Sequence, residues 1–192
     1  MAKPKIDRKT LLRNSLSVFK TKGYNGTSMN DLAAANGLLK GSIYHYIESK
    51  EALMLEVLNA LKDHYVNKVF SKVYDNNLSL LKRVDEITFR AQEIYTHEEG
   101  GDFFVNIGLE TLNTNPVFAE VIKEFFDEWV KALSHLFELN NHSKEEAKIH
   151  AEVAVAEIEG AVMLMRLLKD ENYLIRTLNK LKQNFKETVN GY

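Results

Sequence analysis

The sequence predicts an all-α protein of about nine helices, and three observations carry that expectation. Two prolines and nine glycines are spread over 192 residues, which favours long helices over a strand-and-turn architecture. Apolar residues recur at three- and four-residue steps along most of the chain, the spacing of one helix face. Stop and start residues such as Gly23, Ser49, Asn115-Pro116 and Ser143 stand at the ends of those periodic stretches.

Composition removes several function classes. The 45% apolar content suits a folded core. Cysteine is absent, which excludes disulfides, thiolate metal sites, a cysteine nucleophile and thiol redox switching. Residues 1–13 are basic but lead into an amphipathic stretch, unlike a secretory signal. The most apolar window, residues 151–168, contains Glu152, Glu157, Glu159 and Arg166. An arginine at a bilayer centre costs about 2.5–3.5 kcal/mol, so a cytoplasmic protein with no membrane partner is expected. The net charge of −2 conceals an asymmetry: residues 1–50 carry nine Lys and Arg against Asp7, Asp31 and Glu48, a net of +6. A basic head on an acidic body is an electrostatic footprint for nucleic acid.

The elements follow in order. Residues 6–22 form a first helix with Leu12, Leu16 and Phe19 on one stripe, Lys20 and Lys22 near its end and Gly23 to stop it. The second begins at Thr27-Ser28, where Ser28 and Asp31 resemble a capping box, and buries Met29, Leu32 and Ala33. Gly37 supplies the turn. A third helix over residues 39–47 buries Leu39, Ile43, Tyr46 and Ile47 and shows Lys40, Gly41, Ser42, Tyr44 and His45. Two short helices broken at Asn36-Gly37, with charge and hydroxyls on the second, make the pattern of a helix-turn-helix.

Ser49 caps a long fourth helix reaching a turn at Asp75-Asn76-Asn77, and a fifth runs over residues 78–97 to Gly100-Gly101. A short sixth covers residues 103–112. Asn115 then Pro116 is a sharp start for the seventh, over residues 116–139. Ser143 with Glu146 opens the eighth. It carries two apolar stripes: Ile149, Val153, Ala156, Gly160, Met163 and Leu167 on one, Ala151, Val155, Ile158, Val162 and Met165 on the other. Such a helix is either central in a core or shared with a second subunit. The ninth covers residues 173–189. A two-fold four-helix interface is therefore expected from the last two helices, through Val155, Ile158, Val162, Met165, Leu174, Leu178, Leu181 and Phe185.

These residues bring a resemblance into view. Gly23-Tyr24-x-x-Thr27-Ser28-Met29, Asp31-Leu32-Ala33, Gly37-x-x-Lys40-Gly41-Ser42-x-Tyr44-x-Tyr46 and Ser49-Lys50-Glu51-x-Leu53 together resemble the DNA-binding domain of the TetR family of transcriptional repressors. Glu159-Gly160-Ala161 and Asn115-Pro116 with Trp129 resemble one subclass of its C-terminal domains. The resemblance implies a DNA-binding domain at residues 1–49 and a helical ligand-binding and dimerisation domain at residues 50–192. Leu39, Asn36 and Ile47-Glu48 depart from the family pattern. Leu39 removes a hydroxyl at the start of the third helix.

Each candidate DNA contact has a physical reason. Thr27 and Ser28 sit at a helix N-terminus suited to phosphate. Lys50, Tyr44 and Tyr46 suit the DNA backbone, although the spacing of Tyr46 with Ile43 and Ile47 equally suits core packing. Lys40 can donate to guanine, Ser42 and His45 can read a base edge, and Gly41 allows close approach. Tyr65, Phe89, Tyr95, Phe103, Phe104, Phe126 and Trp129 are candidates for an effector pocket; aromatics at helical spacing are also ordinary core. The expected function is a ligand-responsive regulator, most simply a repressor, that binds a near-palindromic double-stranded operator as a homodimer and leaves it when an unknown small molecule binds. A transcriptional activator, or an all-helical interaction protein without small-molecule control, is the alternative. Glu93 with His97 and His150 with Glu152 form no metal or catalytic signature, so no enzyme, metal or cofactor is expected.

Overall fold

The computed structural model describes residues 6–96 and 102–190, the last five of them by backbone alone. Nine α-helices and one 3₁₀ turn make up the described architecture, with no strand among the described residues. The helices are α1 (Arg8–Lys22), α2 (Met29–Ala35), α3 (Lys40–Ile43), α4 (Lys50–Lys68), α5 (Leu80–Thr96), α6 (Phe103–Thr111), α7 (Pro116–Leu139), α8 (Lys144–Leu168) and α9 (Asn172–Asn190). The 3₁₀ turn, Phe70–Tyr74, follows α4 where a continuous helix is expected. The Gly100-Gly101 stop and His97 lie outside the described residues.

Local chemistry sets the boundaries. Asp7 caps α1 by accepting from the Thr10 amide at 2.9 Å. Gly23 ends it at φ 70, ψ 175, a backbone region essentially reserved for glycine, while its N–H closes on the Phe19 carbonyl. The buried stripe of α1 is Leu11, Ser15 and Phe19, one residue before the expected Leu12 and Leu16. The capping box at Ser28 is complete, since Ser28 Oγ accepts from the Asp31 amide and Asp31 accepts from the Ser28 amide. At the other end of α2, the buried Asn36 side chain donates to the Leu32 carbonyl at 2.8 Å. Gly37 then turns the chain at φ 65. α3 is only four residues long, and Leu39, its N-cap, makes no side-chain capping bond. Residues 44–46 continue as turns rather than helix, and Leu39 is exposed rather than buried.

The chain divides into two compact units. The first comprises residues 1–62 and 103–123, so α6 and the first part of α7 join the three N-terminal helices. The second comprises residues 63–102 and 124–192. The division falls inside α4 and α7.

Leu11, Phe19, Leu32, Ile43, Leu53, Met54, Leu58, Phe104 and Phe118 are fully buried in the first unit. In the second, α9 packs against α8 and α5. Buried Arg83 donates there to the Leu78 and Val73 carbonyls at 3.0 and 3.1 Å and to Asn76, which ties down the turn before α5.

Candidate nucleic-acid interface and effector cavity

Ile43 and Ile47 are buried and hold residues 39–47 against the rest of the first unit, which leaves their other face outward. On that face Leu39, Lys40, Gly41, Tyr44 and His45 are exposed, and Ser42 and Tyr46 are half-buried. A side chain added at Gly41 would meet nothing within 4 Å, so the fold itself does not demand glycine there. The segment is braced by Arg8, which sequence reasoning missed. Its guanidinium donates to the Tyr46 carbonyl and forks onto Glu56 of α4, with Nε to Oε2 at 2.8 Å.

Three of the candidate contacts have partners within the protein. Thr27 is buried, and its hydroxyl donates to the Gly23 carbonyl at 2.6 Å. Ser28 is closed into its capping box with Asp31, and the Lys22 ammonium pairs with that carboxylate. Lys22, then Ser28, hold Asp31 well below the usual carboxylate range. Lys50 donates to the Tyr24 and Thr27 carbonyls at 2.8 and 2.9 Å, and its Nζ lies 4.3 Å from the Tyr24 ring centroid. The fold thus uses two of its three donors to tie the α1–α2 connection to the start of α4.

α6 grips the same connection. The Glu110 carboxylate accepts from the Tyr24 and Asn25 amides at 2.8 and 2.6 Å. Asn115 donates to Glu51 at 3.0 Å, and Tyr24 meets Phe118 edge-on with ring centroids 4.9 Å apart. No local pattern announces a carboxylate 85 residues away as the partner of these amides.

A small apolar cavity lies in the second unit. Tyr65, Val69, Phe70, Ile87, Ala91, Ile94, Tyr95, Phe125 and Trp129 line it. They enclose about 20 Å³, room for about one water. Tyr65, Tyr95 and Trp129 are thus brought together. Phe126 stacks on Trp129 at 6.2 Å without lining the space. Phe89 is 53% exposed, and Phe103 and Phe104 are buried in the first unit. Sequence reasoning also missed a polar group beside the cavity: the Tyr95 hydroxyl donates to Glu159 at 2.9 Å. Burial pushes the Glu159 carboxyl up to about 7, with a smaller contribution from Asp102 and against the Tyr95 hydrogen bond. Burial likewise raises the Tyr95 hydroxyl, followed by the charge of Glu159.

The eight residues expected at the dimer interface, Val155, Ile158, Val162 and Met165 of α8 and Leu174, Leu178, Leu181 and Phe185 of α9, are all buried in the single chain. α9 packs against both α8 and α5, which covers these side chains. The outward stripe of α8 is the other one: Ile149, Val153, Met163 and Leu167 are each more than half exposed. Both stripes have helical periodicity, so spacing alone does not assign them.

Among the described residues no group of three His, Asp or Glu side chains could hold a metal ion, and no helix is long and apolar enough to cross a membrane. His150 lies against Phe137 and His142, with ring centroids 5.3 and 4.7 Å away.

Comparison with known proteins agrees with this geometry. Residues 11–57 match the family described as bacterial regulatory proteins, tetR family. Residues 85–180 match the C-terminal domain of LmrA/YxaF-like transcriptional regulators. The HTH-type transcriptional repressor DhaR of Mycobacterium sp. (strain GP1) is 25% identical over 172 residues, covering 87% of this chain and 86% of its own. The HTH-type transcriptional regulator LmrA of Bacillus subtilis (strain 168) is also 25% identical, covering 88% and 90%. Among solved structures, a TetR transcriptional regulator from Legionella pneumophila superposes with a TM-score of 0.83 at 22% identity, over 95% of this chain and 99% of that one. One from Chloroflexus aurantiacus gives 0.82 at 26%, over 94% of each. With a helix-turn-helix matched at one end and a regulator's helical domain at the other, the chain belongs to the TetR family of DNA-binding transcriptional regulators, which are not enzymes.

Proposed function

We propose that this regulator is a repressor that binds a near-palindromic operator as a homodimer in the cytoplasm and is released by a small apolar effector. One observation carries the DNA half: Lys40, Gly41, Tyr44 and His45 face outward on a segment braced from behind by Ile43, Ile47 and Arg8. Lys40 has the reach for a guanine edge, His45 and Ser42 for a base edge, and Tyr44 and Tyr46 for phosphate. Thr27, Ser28 and Lys50 contribute by shaping the segment's support.

Dimerisation is assigned to the outward α8 stripe, with Ala156 and Gly160 allowing two helices to approach closely. Pairing places two recognition segments about 34–36 Å apart, or a multiple of it, for successive major grooves. The effector enters among Tyr65, Tyr95, Phe125 and Trp129. Drug-sized ligands occupy roughly 300–1,000 Å³, so binding requires these side chains to move. Tyr65 and Val69 belong to or directly follow α4, whose first residue, Lys50, anchors the reader. The effector acts through its differential affinity for the DNA-competent and DNA-incompetent states.

Selection of bound duplexes from random DNA, followed by a small-molecule screen for release of the selected duplex, tests this reading. Enrichment of an inverted repeat, with affinity falling steeply as salt rises, is expected. Failure of the dimer to enrich any sequence removes the proposal.

A further inference from the structure

Leu39 has no evident role in the fold. It occupies the N-cap of α3, where Ser, Thr, Asp or Asn would accept an amide hydrogen bond, and it makes none. At 77% exposure it is more open than Leu109 or Leu167, the next most exposed large apolar side chains described. Neither capping nor burial explains a leucine there. Its immediate neighbours are the exposed Lys40 and the open space above Gly41, so it stands at the leading edge of the face assigned to DNA.

We infer that Leu39 reads the 5-methyl group of a pyrimidine, namely thymine, in the operator's major groove. The inference rests on the proposed DNA-binding role of this face. A leucine side chain has neither donor nor acceptor, so phosphate oxygens and the hydrogen-bonding edges of guanine, adenine and cytosine offer it nothing directional. The thymine methyl is the apolar feature of the major groove, and the leading residues of a recognition helix are those that reach base edges. Contact would bury a methyl on each side, and the adjacent Lys40 would supply the polar reading one base pair away. The neighbouring Gly41 carries no side chain to hold the backbone, and hence Leu39, off the groove floor.

The test uses the full-length protein and a duplex selected from random DNA. Each thymidine is replaced singly by deoxyuridine, which removes the methyl and leaves base pairing intact, and affinity is read by fluorescence anisotropy at fixed salt. At one thymine per half-site, the loss should be about fourfold, and roughly fifteenfold when both half-sites are changed. Leu39→Ala should lose the same factor on the parent duplex and be indifferent to deoxyuridine at that position alone, while keeping the wild-type melting temperature because the side chain is exposed. Placing 5-methylcytosine at that position, opposite guanine, separates methyl recognition from recognition of thymine's 4-oxo edge: wild type should bind it better than unmethylated cytosine, and Leu39→Ala should not. The inference is overturned if no thymine shows a methyl dependence, or if that dependence survives in Leu39→Ala. Absence of any enriched duplex would instead overturn the DNA-binding proposal on which it rests.

Discussion

Replacing Glu110 by alanine is the most direct test of how the reader is held. The substitution removes a carboxylate that accepts from the Tyr24 and Asn25 amides at 2.8 and 2.6 Å. A hydrogen bond to a charged group contributes about 1.5–3 kcal/mol. The Asn25 amide is exposed, so water replaces most of its share, whereas the Tyr24 amide is partly buried. A net loss of about 2–3 kcal/mol follows. For a chain of this size that corresponds to a fall of roughly 4–12 °C in melting temperature. Glu110→Gln keeps one carbonyl acceptor without the charge, and should lose about half as much. Urea unfolding measures the loss, and amide hydrogen exchange locates it: Tyr24 and Asn25 should exchange faster. If Glu110→Ala unfolds within about 0.5 kcal/mol of wild type and both amides exchange at their original rates, the assigned latch does not operate.

Four further outcomes can be measured. Gly23→Ala should destabilise by about 1–3 kcal/mol from its backbone alone, and its new Cβ would lie 2.8 Å from Glu110; adding Glu110→Ala should relieve the clash but not the backbone part, as read by urea midpoints. Glu159 keeps its proton in the folded chain up to about pH 7, against a reference of 4.5. The folded state therefore binds more protons between those values, stability falls as pH rises through that window by about 3 kcal/mol at most, and Glu159→Gln should flatten the curve. Lys40→Ala should weaken operator binding by about 1–3 kcal/mol and relax preference at one base pair, with anisotropy on single-base variants as the readout. Val153→Glu with Met163→Glu should yield a folded monomer by sedimentation, whereas an unchanged dimer would place the interface elsewhere.

Much of the fold is local chemistry, and that part is legible in the sequence. The capping boxes at Ser28 and Ser143, the glycine stops at 23 and 37 and the start at Asn115-Pro116 each depend on residues within four positions. What depends on distant partners is not. Lys50 and Thr27 resemble phosphate ligands until the carbonyls of Tyr24, Thr27 and Gly23 are placed beside them. Phe103 and Phe104 have the spacing of a pocket wall, but α6 belongs with the first unit. In α8 two stripes have equal periodicity, and only the packing of α9 decides which is covered. The third helix is overextended because Tyr46 and Ile47 follow Ile43 at distances compatible with either helix or turn.

The membership of α6 in the first unit has a consequence for biosynthesis. Phe103–Lys123 must pair with a segment that ends at residue 62, so the helix-turn-helix remains without its brace while residues 63–102 are made. At about 5–20 residues per second, the sixty or so residues after position 62 delay completion by roughly 3–12 s. During that interval Tyr24 and Asn25 have no carboxylate to receive their amides, and Phe118 has not yet reached the Tyr24 ring. A nascent chain paused before Glu110 therefore presents a complete helix-turn-helix sequence in an incomplete domain. The first unit is completed only at residue 123, while residues 124–192, the larger part of the second unit, are still to be made.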